Sequence, residues 1–304
     1  MEILRAFLSK NFLKNIIFIF FISFSINLIT VQNLKSAEIN IQPYQVDTLK
    51  SQGVLFTYPT PDELLEIIKK DKITFYGKFL NPVENESKYI DSKYKNLNLG
   101  VYMADLAYSA FFEKRSRILK LIENISKLSE DLLISNDLKT NLKADLERNI
   151  ENLDSIYHLT SAYYNKIMME LEKNHNNKVM VIISTGAYIE SVYLSLSTID
   201  KFTEQNNVIN KIAEQKNAFI DLHQTSKLYA NELYVKDVIK YQETLINHYR
   251  QFKVENKGKF TLSTNKDGTV TFKSAEKVIM NKEQFEDFKK VVTIIRNEIT
   301  KNSK

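Results

Sequence analysis

From about residue 91 onward, apolar side chains recur at intervals of three and four, the spacing that places them on one face of an α-helix. Leu97, Val101, Ala104, Leu106 and Tyr108 predict one helix. Ile118, Leu121, Ile122, Ile125 and Leu128 predict a second, with Ser116 as its cap. A third starts near Ser135 or Asn136 and carries Leu138, Leu142 and Leu146. A fourth carries Leu153, Ile156, Tyr157, Leu159, Tyr163, Ile167 and Leu171 and ends near Asn174–Asn177. Val179–Leu196 is nearly all apolar, with Glu190 its only charge, as expected of a buried helix. Two long amphipathic segments follow, at about 206–230 and 232–252.

The period then changes. Lys259–Thr264 and Thr269–Lys273 alternate around Asp267-Gly268, which predicts a β-hairpin within the region 258–280. Val278-Ile279-Met280 offers a short third strand. Asn281 and Gln284 then form a capping box for a terminal helix over 281–300, whose apolar face is Phe285, Phe288, Val292, Ile295 and Ile299. The fold class expected is mainly α: a multi-helix bundle or irregular helical array with a small C-terminal β-hairpin.

The front of the chain follows other rules. Arg5, Lys10 and Lys14 precede the apolar run Ile16–Phe24, and Asn27 interrupts it before Ile29. Base, short apolar core and polar tail read as a signal peptide over 1–37, cut after Ala37. The alternative is an uncleaved anchor, and membrane contact is expected only through this segment if it is retained. Residues 38–59 read as an extended arm of a single domain spanning 38–304. Thr60, Pro61 and Glu63 then mark a helix start, and 71–90 reads as a loop.

Composition sharpens this picture. The 304 residues include only 6 Gly and 4 Pro, where average usage gives roughly 21 and 15. Sheets, barrels and phosphate-cradling loops need those turn residues, so the scarcity favours long helices. There is no cysteine, which excludes disulfides, thiolate catalysis and a lipidated Cys. Residues 1–37 hold four bases and one acid, so of 42 Lys+Arg and 37 Asp+Glu the remainder keeps 38 and 36, a net of +2. Nucleic acid requires a basic face, and no such partner is expected.

Candidate chemistry gathers around two glycines. Gly100-Val-Tyr102-Met-Ala-Asp105-Leu-Ala-Tyr108 rhymes with Gly186-Ala-Tyr188-Ile-Glu190-Ser-Val-Tyr193. A glycine inside a helix costs about 1 kcal/mol relative to alanine and permits another backbone to approach closely. In one reading, Gly100 and Gly186 mark a helix crossing in the core, with tyrosine hydroxyls satisfying the buried Asp105 and Glu190. In the other, Asp105, Glu190, Tyr102, Tyr108, Tyr188 and Tyr193 line a polar ligand cavity. A retaining hydrolase would need the two carboxyls about 5–5.5 Å apart across an open cleft.

No other constellation reaches a recognisable motif. His158, His175, His223 and His248 never pair at the spacing of a helical zinc site. Glu172-Lys-Asn-His175 occurs once, where di-iron bundles need that motif twice plus two further Glu. Asp154/His158 and Asp221/His223 lack a nucleophile elbow. No metal or cofactor is expected, and no catalytic residue is assigned.

The segments Pro59-Thr-Pro61-Asp-Glu-Leu-Leu, Leu99-Gly-Val-Tyr-Met-Ala-Asp-Leu-Ala-Tyr108 and Ile183-Ser-Thr-Gly-Ala-Tyr-Ile-Glu-Ser-Val-Tyr-Leu194 are similar to those of a family of exported, mostly α-helical bacterial envelope proteins of uncharacterised function. Members tend to carry Trp where this chain has Tyr188 and Gly where it has Ser191, and are often lipoproteins. The resemblance implies a shared fold and an envelope or periplasmic location, and it supplies no activity. The expectation is an exported non-enzymatic protein that binds an envelope protein or a small ligand. The alternative is an envelope hydrolase centred on Asp105 and Glu190.

Overall fold

The computed structural model describes residues 74–301 apart from 133, 137–139, 142–143, 146–147, 150–151, 257–260, 265–269 and 274–275. The signal segment 1–37, the arm 38–59, the helix start at Thr60, the apolar positions Leu138, Leu142 and Leu146, and the Asp267-Gly268 turn lie outside the described residues. Those described belong to one compact unit.

Eight α-helices and four short strands are described. Helix α1 (Ser92–Phe111) starts where the Asp91 carboxylate accepts the Lys93 N–H, satisfying one of the free donors of the first turn. The chain reverses through Glu113, whose φ of 59° is left-handed, and enters α2 (Arg115–Leu128). Here the expected cap fails. Lys114, not Ser116, holds the N-cap position, and no side chain caps it, because the tight reversal already fixes the Lys114 N–H on the Ser109 carbonyl. Helices α3 (Leu153–Lys173) and α4 (Asn177–Ser197) follow.

The amphipathic segment at 206–230 is two helices, α5 (Asn207–Glu214) and α6 (Lys216–Lys227). They join at buried Gln215, whose N–H donates to the Lys211 and Ile212 carbonyls as α5 closes. Neither Pro nor Gly stands at this break, so the apolar spacing runs across it unmarked. Helix α7 (Val235–Tyr249) follows a turn in which Tyr234 takes a left-handed φ of 69°.

Strands β1 (Lys253–Asn256), β2 (Thr261–Thr264), β3 (Val270–Lys273) and β4 (Glu276–Ile279) form two separate antiparallel pairs. The hairpin pairs β2 with β3, Thr261 opposite Lys273. The segment expected as a third strand instead pairs with β1, Lys253 opposite Ile279. That pairing ties the end of α7 to the start of α8 (Lys282–Thr300), where Gln284 Nε2 also donates to the Gln251 carbonyl at 2.7 Å. The Asn281/Gln284 capping box forms as the sequence predicts.

Two apolar clusters fill the core, and the α1/α4 pair divides them. Leu99, Tyr102, Met103 and Leu106 of α1, with Ile183 and Ala187 of α4, pack toward α2 and α3. Leu97, Val101 and Tyr108 of α1, with Val181, Tyr188 and Val192 of α4, pack toward α5–α8. Helix α4 is long and apolar enough to cross a membrane, yet 89% of its apolar stretch is buried inside the fold. Each side of α1 and α4 therefore faces protein, which explains why their sequences lack a polar stripe.

Candidate functional site

The α1/α4 pair meets backbone to backbone. A Cβ at Gly100 would stand 2.1 Å from the Ile183 carbonyl oxygen, and one at Gly186 would stand 2.0 Å from that of Leu97. Both obstacles are main chain and cannot yield as a side chain would. One turn further along, Asp105 and Glu190 lie side by side. The first turns of both helices lie together at the opposite end, around a common cleft, so the two helices run in the same direction.

Both acids are 0% exposed. Glu190 is closed by Arg296 of α8 in a two-pronged ion pair: Nε donates to Oε2 at 2.8 Å and Nη2 to Oε1 at 3.0 Å. Nη2 also donates to the Phe79 carbonyl at 3.0 Å, and the guanidinium lies 4.6 Å from the centre of the Tyr193 ring. Burial works against the charge of Arg296, but the Glu190 carboxylate outweighs it and drives the guanidinium pKa upward. Asp105 accepts the Asn81 N–H on Oδ2 at 3.0 Å. Its Oδ1 has no hydrogen-bond partner among the described residues, and the charge of Glu190 acts on it from nearby.

Burial, and then the charge of Glu190, push the Asp105 carboxyl well above the usual carboxylate range, which favours its protonated form. The Glu190–Arg296 ion pair carries no net charge, the arrangement that makes burial of ionisable groups tolerable.

The tyrosines expected beside these acids are mostly elsewhere. Tyr102 donates to the Pro82 carbonyl at 2.9 Å. Tyr108 accepts the Tyr76 N–H at 3.2 Å. Tyr188 stacks on Phe219 and hydrogen bonds with Tyr249, which donates onward to the Ile212 carbonyl. Of the four, only Tyr193 touches the acid assembly, through Arg296. The six residues thus do not converge on one cavity; the acids find Arg296 and Asn81 in place of tyrosine hydroxyls. The reason is direction: Tyr188 points into the cluster on the α5–α8 side, away from Glu190.

The segment 77–89 folds as two short 3₁₀ turns, Gly77–Phe79 and Val83–Lys88, over the acids. It is pinned by Asn81 on Asp105, by Arg296 on Phe79 and by Asn124 Nδ2 on the Val83 carbonyl at 2.8 Å. Asn81 also donates to Tyr89 and Asn98. Asn98 and Tyr89 in turn donate to the Ile299 and Thr300 carbonyls, satisfying the last turn of α8, whose carbonyls would otherwise be orphaned.

At the other end of α1 and α4 lies an open cleft of about 360 Å³. Ser92, Lys95 and Asn96 of α1, Leu128, Asp131 and Leu132, Asn176, Lys178, Val179 and Ile182, and Leu233 with Tyr234 line it. Asp105 and Glu190 do not. The sequence marks none of these lining residues as part of a site, since they come from four separate stretches without a shared motif.

Among the described residues no group of three or more His, Asp or Glu is placed to hold a metal ion. His175 ends α3 with a left-handed φ of 55°. His223 is buried with Nε2 at 3.8 Å from Glu243, and burial lowers its pKa. Compared with known proteins, the chain matches no family, no curated protein and no solved structure.

Proposed function

We propose that this is an exported, non-catalytic envelope protein that binds a small ligand, in which the Asp105–Glu190–Arg296 assembly holds the helices together. One observation carries the non-catalytic part: both carboxyls have 0% exposure and neither lines the cleft. A carboxylate that acts as nucleophile or base must reach substrate and water. Glu190 is instead occupied by Arg296, and Asp105 by Asn81. Export rests on the order of charge and apolar residues in 1–37, and kinship with exported helical envelope proteins rests on the Leu99–Tyr108 and Ile183–Leu194 segments.

Native mass spectrometry of the protein after incubation with envelope extract tests the binding role. The expected result is a small molecule retained on the wild-type protein and released chemically unchanged. Glu190→Gln is expected to lower the melting temperature and still retain that molecule. Conversion of the molecule into a product, abolished by Glu190→Gln in protein that remains folded, would contradict the proposal.

A further inference from the structure

The cleft between the first turns of α1 and α4 combines polar and apolar lining residues. Asn96 is only 8% exposed and lines the cleft, yet its side-chain amide makes no hydrogen bond to any described residue. Asn98, two residues on, has all its polar atoms engaged. Asn96 therefore presents its amide into the cleft.

The charge environment favours one kind of guest. Helix α4 is 21 residues long, has no acid in its first turn, and its N-cap Asn176 makes no side-chain capping bond. Its free N–H groups and the positive end of its dipole border the cleft. Lys95 and Lys178 flank it. Each has an exposed acid nearby, Asp131 at 2.7 Å and Glu232 at 3.3 Å, so the pairs are solvent-screened and exchangeable. Opposite this polar end stand Leu128, Leu132, Val179, Ile182 and Leu233, with Leu233 68% exposed. The volume falls at the lower end of the range for small-molecule sites, which combine an apolar wall with a few convergent polar groups.

We propose that this cleft binds a monocarboxylate with an aliphatic or aromatic body, its carboxylate on the Asn96 amide and the first turn of α4, its body against Leu128, Val179, Ile182 and Leu233. This assignment rests on the small-ligand reading above and names the ligand class.

Octanoate, below its micellar concentration, is the probe, and octan-1-ol the uncharged control. In amide-resolved NMR spectra of the protein, octanoate is expected to shift the Asn96 side-chain NH₂ and the Lys178 N–H saturably. Octan-1-ol should bind about tenfold or more weaker, an effect of the size of one charged contact. Asn96→Asp, which sets a like charge against the carboxylate, should abolish saturation. Lys178→Glu does the same from a solvent-exposed position and serves where Asn96→Asp fails to fold. Equal binding of octanoate and octan-1-ol, or octanoate binding indifferent to Lys178→Glu, would overturn the carboxylate assignment. If octanoate leaves the spectra unchanged while native mass spectrometry shows another molecule retained, the ligand class is wrong and the binding role stands. If neither is retained, both fall.

Discussion

At their glycine crossing α1 and α4, closed by α8, bury three ionisable groups and leave no solvent-accessible surface on either acid. Toward their N-termini the same two helices part around a cleft lined by Asn96, whose side chain makes no hydrogen bond to a described residue. The difference lies in what the rest of the chain supplies. Over the crossing, α8 contributes Arg296 and the 77–89 segment contributes Asn81 and the Phe79 carbonyl, so two elements answer the polar groups buried there. At the N-terminal end the neighbours are the last turn of α2 and the turn before α7, which offer leucines and screened ion pairs. A side chain left unpaired at the wall of an open cleft can still serve a guest, whereas groups sealed in the core serve only the fold.

The sharpest way to break this contrast is to remove the counter-charge at the sealed end. Arg296→Met removes the counter-charge of Glu190 in the core, and should cost about 3–5 kcal/mol in denaturant unfolding. Replacing Glu190 with Leu in the same variant should restore most of that loss, because an apolar pair of similar volume has no unpaired charge. Failure of the double variant to recover would show that the ion pair specifies the fold rather than filling it. A smaller loss is expected from Gly100→Ala, about 3 kcal/mol at the upper end for overpacking, since Cβ meets the Ile183 main chain and one helix must shift. A Gly100→Ala protein as stable as wild type would place the crossing elsewhere.

Much of this architecture was legible in the chain. The helix-period spacing, the Asn281 box and the paired mid-helix glycines with their following acids are local signals, and the structure places Gly100 against Ile183 and Gly186 against Leu97. The partners of the acids were not legible, because Arg296 lies 106 residues from Glu190 in sequence. One sign did exist: Arg296 follows Val292 by four and precedes Ile299 by three, so it sits at the edge of the apolar stripe of α8, where a charge needs a buried partner. Asn81 carried no such sign, being one polar residue in a segment of them. The break at Gln215 and the pairing of β4 with β1 were hidden for a related reason. Both depend on what packs against the segment rather than on any residue within it.

The pH dependence of stability tests the sealed assembly most directly, through Asp105→Asn. Burial and the charge of Glu190 raise the Asp105 pKa above the ordinary aspartate value of 3.8, so folding favours its proton over a range in which the unfolded chain releases it. A group whose pKa is raised on folding contributes fully below that value, and its contribution is lost as pH rises toward the raised pKa. The amide introduced by Asp105→Asn would keep the bond from the Asn81 N–H with no proton to hold. Asp105→Asn and wild type should therefore unfold with nearly equal free energies near pH 4. Above it the variant should gain on wild type by up to about 1.4 kcal/mol per pH unit. A difference that stays flat with pH, or a variant less stable than wild type at neutral pH, would mean that folding does not raise the Asp105 pKa and that this account of the sealed assembly is wrong.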